Sequence, residues 1–575
     1  MTTATNKITN ETDVSNESID SADSDEKETP RKGSVRTGRR FRKKLVDDHY
    51  DVVVIGSGIG GLTNAALFSL LGKKVCVLEQ HYTAGGFTHA YRRKGYEWDV
   101  GVHYIGEVHK EYSSLRRIFD VISEGRLKWA EMDPVYDRIV LGNKEYDFVA
   151  GRGNFTKNLI ERFPEEEKAI KQYVSLIRNI SKQTPKFFAG QAFPPVMARI
   201  YNYFRPWLVA KEFFQNTREV LEGLTKNQQL ISVLTGQWGD YGQVPKEAAF
   251  LMHALLAKHY LAGAAYPVGG ASSIAREIIP TILKSGGGVF TDAQVDEVLV
   301  KNNTAYGVRL ADGSEIIADK IVSNIGFIKT IKQLLPKESQ ELHKTERWTK
   351  EVSVSSGSIC LYAGFKGDSN ALDLHSTNLW LYPSGDHEGN VERYSQAKIN
   401  DLDVDLPLVY ISFPSTKDPQ WPNHFPDKST VEIVSITQNH WFEQWQGTQW
   451  NERGDEYLAY KEALSQKLLN KLFEREPQLR EKLDYYELST PLSTQFYQRN
   501  VSGEIYGLDH FVERFNKPFL HPQTPVKNLY MTGADIMTAG VGGALMAGVI
   551  TTMRMLGLRK MSQVKSLFTN YKANK

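Results

Sequence analysis

The residues whose types and spacing most clearly suggest chemistry lie between Asp51 and Glu79. Gly56, Gly58 and Gly61 form a G-x-G-x-x-G pattern directly after an apolar run and before a helical pattern. In such a pattern the first glycine permits a tight turn. The second lets the backbone approach a pyrophosphate, and the third lets helix and strand pack closely. Glu79 closes the next apolar run, where a carboxylate can accept hydrogen bonds from ribose hydroxyls. Together these residues predict a site for the ADP part of a dinucleotide.

A strand–turn–helix–strand unit must position this motif. Residues 52–55 are apolar and β-branched, which favours a buried parallel strand. Residues 62–70 place apolar side chains on one helical face, Gly72 is suited to end that helix, and residues 73–80 predict the second strand. The N-terminus of the helix then offers unpaired N–H groups and a positive dipole end to the phosphates.

A second glycine pair, Gly85 and Gly86, follows Glu79 by a few residues. The first motif does not separate FAD from NAD, and a second backbone approach to a phosphate would need residues without side chains. A simple turn is the alternative, and on the pair alone it is the better explanation.

Several segments together resemble the amine oxidase/phytoene desaturase class of FAD enzymes, and within it the retinol saturase and carotenoid isomerase branch. They are GSGIGGL, LEQHYTAGG, DVGVHYIGE, YPVGG, TPLSTQFYQRNVSGEIYGLDHFVERF and NLYMTGADIMTAGVGGALMAG. These segments span most of the folded chain. The resemblance implies FAD as the cofactor.

The resemblance also implies roles for the C-terminal glycines. Gly533 and Asp535 would lie near the pyrophosphate and the ribityl chain, and Gly542 and Gly543 would let a helix start approach the flavin ring. A tightly packed Gly/Ala helix is the alternative, and Asp535 disfavours a membrane segment. The expected FAD-binding residues are Gly56, Gly58, Gly61, Glu79, Gly85, Gly86, Val295, Gly533, Asp535, Gly542 and Gly543.

By the same resemblance, residues 99–107 pass beside the flavin ring. His103, Tyr104 and Glu107 are the expected catalytic residues, because a histidine and a carboxyl there could protonate one carbon while the flavin gives hydride to another. The alternative is that His103 and Tyr104 serve packing and hydrogen bonding. Further residues expected near the pocket are Asp99, Tyr497, Tyr506, His510 and Arg514.

The second glycine pair departs from the wider class. Many amine oxidases carry arginine around this pair, whereas Thr83, Phe87 and Thr88 surround it here. This difference puts an amine substrate in doubt and favours the polyene branch.

Nucleotide-domain patterns recur at the start, the middle and the end of the chain, which predicts one domain built from several segments. We expect an α/β fold in which a Rossmann-like FAD-binding domain carries an inserted α+β substrate domain. The FAD-binding segments are 49–133, 262–335 and 515–575, and the substrate domain comprises 134–261 and 336–514.

The composition is that of an ordinary globular protein, with 41% hydrophobic and 24% charged residues in 575. The net charge of +2 gives no field that favours nucleic acid. Cys76 and Cys360 cannot form a disulfide framework and fit a reduced compartment. We expect no metal, no signal peptide and no transmembrane helix, and a cytoplasmic location.

Two segments fall outside these patterns. Residues 1–48 predict a disordered tail whose basic run, 31–44, is a solvated linker rather than a contact with anionic lipid. Residues 182–214 are too broken for one helix and predict a membrane-contacting lip, the apolar lining of the substrate domain, or both. The side chains expected to meet lipid are Lys182, Lys186, Arg199, Phe204, Arg205, Trp207, Lys211 and Phe213.

The expected activity is that of an FAD-dependent oxidoreductase on a conjugated isoprenoid such as retinol or a carotenoid, with saturation of a C=C bond by hydride from reduced flavin. Desaturation and cis–trans isomerisation are alternatives, and NAD(P)H is a candidate reductant. A non-catalytic lipid-binding protein of the same fold, as in the guanine-nucleotide dissociation inhibitors of small GTPases, is a further alternative. The complete segment 532–543 disfavours it.

Overall fold

The structure, a computed structural model, describes residues 35–399, 401–449 and 452–571. Its strands are β1 (Arg39–Arg40), β2 (His49–Ile55), β3 (Val75–Leu78), β4 (Ala90–Arg93), β5 (Tyr96–Asp99), β6 (Ile105–Gly106), β7 (Trp129–Glu131), β8 (Val135–Leu141), β9 (Lys144–Val149), β10 (Ala264–Pro267), β11 (Gly288–Thr291), β12 (Val295–Lys301), β13 (Thr304–Leu310), β14 (Glu315–Ser323), β15 (Gly357–Lys366), β16 (Asn378–Tyr382), β17 (Val409–Ser412), β18 (Lys428–Thr437), β19 (Leu483–Ser489) and β20 (Leu529–Met531).

The helices are α1 (Ile59–Leu70), α2 (Ser114–Ile122), α3 (Arg152–Arg162), α4 (Glu167–Phe187), α5 (Pro195–Phe204), α6 (Thr217–Glu222), α7 (Gln228–Leu234), α8 (Phe250–Tyr260), α9 (Ser272–Leu283), α10 (Phe327–Lys329), α11 (Lys337–His343), α12 (Glu346–Lys350), α13 (His387–Gln396), α14 (Pro414–Lys417), α15 (Trp421–His424), α16 (Asp455–Arg475), α17 (Pro491–Gln498), α18 (Gly540–Leu556) and α19 (Met561–Asn570). In the part of the chain that the structure describes, no helix combines the length and the apolarity needed to cross a membrane.

The first sheet has the order β1-β11-β3-β2-β14-β13-β12, and β20 also pairs with β14. Strands β1, β11, β3, β2, β14 and β20 are parallel, whereas β12 and β13 form an antiparallel meander with β14. Since parallel strands end at the same edge of a sheet, the residues that follow β2, β3, β14 and β20 meet there. Helix α1 is buried almost all round, because α9 and α18 pack against it.

The second sheet has the order β19-β15-β18-β17-β16-β8-β9. Its neighbours are antiparallel except β8 and β16, which run parallel. The sheet meets the end of β5 through Glu432 on β18, whose carboxyl accepts the Asp99 N–H at 2.7 Å. Strands from both early and late parts of the chain build each sheet, and the predicted domain boundaries stay a prediction.

Residues 35–48 do not form the disordered tail that the sequence predicts. Strand β1 pairs in parallel with β11, and Thr37 donates its hydroxyl hydrogen to the Ala84 carbonyl at 2.7 Å. The basic side chains of Arg39 and Arg40 stay exposed while the backbone adds to the sheet edge, so a charged sequence does not prevent pairing. The rest of the predicted tail, residues 1–34, lies outside the described residues.

Residues 182–214 form several short elements, as predicted. Helix α4 ends at Phe187, and the 3₁₀ turn Ala189–Ala192 connects it to α5. Arg205 and Phe213 are buried: the Arg205 guanidinium donates to the Asn516 side chain at 2.6 Å, and the Phe213 ring stacks on Phe187. Their inclusion among the side chains that meet lipid is therefore wrong.

Candidate active site and cofactor cavity

The glycine motif lies where β2 passes into α1. Gly56 follows the strand with a φ of +90°, a conformation that glycine adopts without strain, and Gly58 precedes the first turn of the helix. A Cβ on Gly61 would lie 2.4 Å from the Gly56 carbonyl oxygen, so only glycine permits this close approach of helix and turn. Gly61 thus serves packing, as the third glycine of the motif is expected to do.

Glu79 follows β3 and organises the loops around it. Its carboxylate accepts the Ser57 N–H at 2.9 Å, the Ser57 hydroxyl at 2.6 Å and the His81 N–H at 2.9 Å. The Ser57 hydroxyl oxygen in turn accepts the Gly85 N–H at 3.0 Å. One serine therefore joins the first glycine turn, the carboxylate and the second glycine pair.

The C-terminal glycines complete this edge of the sheet. Gly533 follows β20, and a Cβ on Gly60 would lie 3.0 Å from the Gly533 Cα. Asp535 accepts the Phe327 N–H at 2.7 Å and the Leu508 N–H at 2.9 Å. Because Gly86 also approaches Gly58 closely, backbone from three distant parts of the chain converges on the start of α1.

A cavity of about 1550 Å³ extends from this convergence of glycines into the molecule. The predicted residues on its wall are Gly56, Gly58, Glu79, Gly85, Gly86, His103, Tyr104, Glu107, Val295, Tyr497, Tyr506, Gly533, Asp535, Gly542 and Gly543. Gly61, Asp99, His510 and Arg514 are not among the residues that line it. His510 lies behind the wall, where its Nε2 accepts the Ala539 N–H at 2.8 Å.

The residues of this edge fit an FAD molecule. The glycines leave backbone N–H groups open to a pyrophosphate at the N-terminus of α1, and Glu79 presents a carboxylate to the same cavity. The continuation of the cavity is apolar, as an extended hydrocarbon or a flavin ring requires. Its apolar wall includes Phe188, Met252, Leu255, Leu256, Ile325, Met546, Val549 and Ile550.

His103 lines the cavity and forms a close pair with Glu432. Its Nδ1 lies 2.6 Å from a carboxyl oxygen of Glu432, whose side chain is fully buried. Burial, reinforced by the charge of Lys417, lowers the pKa of His103 to about 3. Burial raises the pKa of Glu432 to about 8, although the Asp99 N–H and Lys417 oppose this shift. At neutral pH the imidazole is therefore neutral, and the Glu432 O–H donates to Nδ1.

Glu107 does not pair with His103. It also lines the cavity, but its carboxylate accepts two hydrogen bonds from the Lys258 ammonium, at 2.6 and 2.8 Å. Burial raises the pKa of Glu107, and Lys258 opposes that effect. The carboxyl beside the histidine is thus Glu432, and the catalytic role expected for Glu107 stays a prediction.

Tyr104 turns away from His103 toward two buried carboxyls. Its hydroxyl lies 2.9 Å from Asp137 and 3.5 Å from Asp240, and its ring stacks on Tyr260 at 4.3 Å between centroids. Tyr104, Asp240 and Tyr260 line the cavity, whereas Asp137 is fully buried behind them. His103 and Tyr104 therefore serve different groups although they are adjacent in sequence.

Known proteins resemble this chain in sequence and in fold. Residues 59–556 match the family model described as flavin containing amine oxidoreductase. The chain belongs to the flavin-containing amine oxidoreductase family. It is thus an FAD-dependent oxidoreductase, and the resemblance and the enzyme class predicted from the sequence are confirmed.

Two relatives are similar in sequence to the chain over most of its length. All-trans-retinol 13,14-reductase of Homo sapiens is 36% identical over 552 residues, which cover 93% of this chain and 90% of the relative. The chloroplastic prolycopene isomerase of Daucus carota is 25% identical over 544 residues, covering 90% and 82%.

A solved structure shows the fold. Cyclohexylamine oxidase from Brevibacterium oxydans is 14% identical, with a TM-score of 0.54, and covers 91% of this chain and 99% of its own. The predicted fold class, α/β with a Rossmann-like FAD-binding domain, is confirmed. At this identity the likeness carries no argument about the substrate.

Several polar residues of this flavin-containing amine oxidoreductase were missed in the sequence. The buried Lys417 ammonium donates to the His103 carbonyl at 3.1 Å, to Asn378 Oδ1 at 2.5 Å and to the Ser412 hydroxyl at 2.7 Å, and burial lowers its pKa to about 7. Glu432 did carry a signal, because it interrupts the apolar strand pattern TVEIVSIT. Lys417 and Asp240 have no comparable local signal.

Proposed function

We propose that this oxidoreductase saturates one carbon–carbon double bond of a conjugated isoprenoid, with all-trans-retinol as the first candidate. The observation that carries the proposal is the cavity itself, which joins the glycine convergence to an apolar wall and to His103. The Homo sapiens relative is named for reduction of retinol at its 13,14 bond, which supports the same class of reaction.

The chain's own residues would hold FAD at the edge of the first sheet. We assign the pyrophosphate to the backbone of Gly58 and Gly86, the ribose to Glu79, and the ribityl side to Gly533 and Asp535. When bound and reduced, FAD supplies the hydride that ends on one carbon of the double bond. Each turnover consumes two electrons, and a reduced nicotinamide is the proposed class of electron donor.

His103 is the proposed source of the proton for the other carbon. Because Nδ1 accepts from Glu432, the imidazole carries its hydrogen on Nε2. As Nε2 releases this proton to the carbon, Nδ1 takes the proton of Glu432, so the imidazole stays neutral throughout. Hydride and proton together convert C=C into CH–CH, and the carboxylate left on Glu432 is reprotonated afterwards.

The surroundings of the second glycine pair favour a polyene over an amine. Thr83 accepts the Thr37 N–H at 2.9 Å, and the Thr88 hydroxyl donates to the Gly85 carbonyl at 2.9 Å. Phe87 lines the cavity. These side chains bring no charge to the cavity, so this part of the wall is suited to an apolar chain.

An apolar patch on the surface is the proposed membrane contact. It consists of the exposed side chains Val196, Met197, Ile200, Tyr203, Phe204, Trp207 and Leu208. The 3₁₀ turn Ala189–Ala192 packs on α5, which bears most of the patch, and on α18, which lines the cavity. A polyene dissolved in lipid would thus have a short apolar route from the patch to the cavity.

Replacement of Tyr203, Phe204 and Trp207 by serine is expected to reduce binding to liposomes at least several-fold, because exposed aromatic rings favour the membrane interface and all three belong to the patch. Flotation of the purified protein with liposomes measures the effect. Leu342→Ser and Leu458→Ser, which remove exposed apolar side chains elsewhere, are the matched controls. Equal flotation of the triple variant and the controls would contradict the membrane contact.

The pair of His103 and Glu432 predicts how the rate depends on pH. Burial holds the Glu432 carboxyl protonated below a pH of about 8, so the rate of saturation should fall as the pH rises through that value. In Glu432→Gln the alkaline fall should disappear, because the amide does not titrate. The charged or titratable groups that face Glu432 are Asp99, His103, Tyr266, Cys360, Tyr362 and Lys417. A rate profile with the same alkaline fall in the variant would rule out Glu432.

Product analysis tests the proposed reaction. Saturation adds two hydrogen atoms to the polyene, whereas cis–trans isomerisation leaves its mass unchanged. Isomerisation is the second candidate because of the likeness to the Daucus carota protein. A product of unchanged mass, formed with reduced FAD present, would replace the first candidate by the second.

A further inference from the structure

A polar recess interrupts the apolar wall of the cavity. The recess is formed by the side chains of Tyr104, Tyr260 and Asp240. Asp240 is the last residue of the 3₁₀ turn Trp238–Asp240. The two tyrosine rings are nearly parallel, with an interplanar angle of 13°. Both tyrosines are neighbours of the Asp240 carboxyl.

The two carboxyls beside Tyr104, those of Asp137 and Asp240, differ in how many hydrogen bonds they accept. Asp137 accepts from the Tyr104 hydroxyl at 2.9 Å, from the Gln237 amide at 2.6 Å and from the Asn378 amide at 3.0 Å. A phenol has one hydrogen to donate. Tyr104 donates it to Asp137, and its contact with Asp240 is longer, at 3.5 Å. Asp240, with Tyr260 as its second neighbour, is the carboxyl that faces the cavity.

We infer that Asp240 and Tyr260 bind the hydroxyl group of a polyene alcohol, an inference that rests on the proposed function and narrows its substrate class. A hydroxyl donates one hydrogen bond through its O–H and accepts others at its oxygen, so it can pair with a carboxyl and a phenol that stand together on an apolar wall. A hydrocarbon polyene would instead cover the Asp240 carboxyl without offering it a hydrogen bond.

The electrostatics of the recess favour a neutral group over a cation. Burial, with the neighbouring Asp137 carboxyl added, raises the pKa of Asp240 well above its usual range, which favours the neutral form of this carboxyl. The Lys417 ammonium lies 5.6 Å from the centroid of the Tyr104 ring. A protonated amine would meet a neutral carboxyl on one side of the recess and the Lys417 ammonium on the other. Neither group attracts a cation.

Equilibrium binding tests the inference without turnover. The FAD-loaded protein, kept oxidised, is titrated with three polyenes that share one chain: the alcohol all-trans-retinol, the hydrocarbon with methyl in place of hydroxymethyl, and the primary amine. Quenching of protein fluorescence gives each dissociation constant. The alcohol is expected to bind about 10–100-fold more tightly than the hydrocarbon, because a site that hydrogen-bonds a hydroxyl rejects the analogue without one.

Variants assign that preference to the recess. In Asp240→Leu the alcohol and the hydrocarbon should bind alike, whereas Gln446→Leu, which removes another polar side chain of the cavity wall, should keep the preference. If Asp240→Leu does not fold, Tyr260→Phe removes one hydroxyl and should narrow the preference.

Three results would overturn the inference: equal binding of alcohol and hydrocarbon by the wild-type protein, tightest binding of the amine, or an unchanged preference in Asp240→Leu. None of them depends on catalysis. A protein that prefers the alcohol but forms no saturated product would contradict the proposed reaction alone, and a protein that saturates hydrocarbon and alcohol equally would contradict the hydroxyl site alone.

Discussion

Replacement of His103 by glutamine is expected to lower the rate of saturation by about 10²–10⁴-fold, the range that a positioned proton donor contributes. Glutamine can still hydrogen-bond to Glu432, which lies 2.6 Å from the imidazole in the wild-type protein, but it does not pass a proton from one end to the other. His103 lines the cavity beside an apolar wall, so water does not readily take over the transfer.

The FAD content of His103→Gln separates catalysis from folding. His103 lies between β5 and β6 and pairs with Glu432, whereas Glu79 is bonded to Ser57 in the first glycine turn, so the variant should retain FAD as the wild-type protein does. His375→Gln, at a histidine that is 73% exposed, is the matched control. A rate within a few-fold of the wild-type value, at full FAD content, would exclude His103 as the proton donor.

Substitution of Gly58 by alanine is expected to weaken FAD binding about 10–100-fold, so that the protein purifies with little yellow colour. A Cβ at this position would lie 2.9 Å from the Asn324 amide nitrogen, the end of a side chain that can move. The fold should therefore tolerate the methyl group, whereas a pyrophosphate loses its close approach to the backbone and with it charge-assisted hydrogen bonds.

Gly153→Ala provides the control for this second prediction. It lies in α3, where an added Cβ would meet nothing within 4 Å, so the same change should leave the FAD content unaltered and should not lower the thermal stability. The measurement is the ratio of flavin to protein absorbance, with the melting temperature of the FAD-free protein as a check on the fold. Full flavin content in Gly58→Ala would contradict the assignment of the pyrophosphate to this turn.

The cofactor edge could be predicted from the sequence because its determinants are local. The strand, the glycine turn, the helix and Glu79 fall within 30 consecutive residues. Each part has a pattern of its own: a β-branched run, glycines at fixed spacing, an apolar helical face and an acidic residue at a strand end. The meander of β12 to β14 was recognisable in the same way, from its asparagine and glycine turns.

No such local pattern predicts which polar side chains meet inside the cavity. His103 and Glu432 are 329 positions apart, and they meet only because β18, an inner strand of the second sheet, packs beside β5 and the segment that follows it. Glu107 lies only four positions from His103, but its backbone takes a φ of +49° and its carboxylate pairs with Lys258. Strand order across a sheet decides which buried carboxyl reaches the histidine, and no local pattern encodes that order.

The disordered tail was predicted too long for a related reason. Charge density alone favours disorder for residues 35–48. The edge of β11 presents backbone N–H and C=O groups with which a charged segment can also pair. Strand β1 forms hydrogen bonds with them. The availability of that edge is a property of the folded sheet.

The most direct measurement is a single turnover in the absence of oxygen. The FAD-loaded protein is reduced, mixed with all-trans-retinol, and followed by the absorbance of oxidised flavin and by the mass of the polyene. We predict that one equivalent of oxidised flavin returns as one equivalent of polyene gains two hydrogen atoms. Flavin that stays reduced while the polyene is unchanged, or changes only its double-bond geometry, would contradict saturation as the function of this protein.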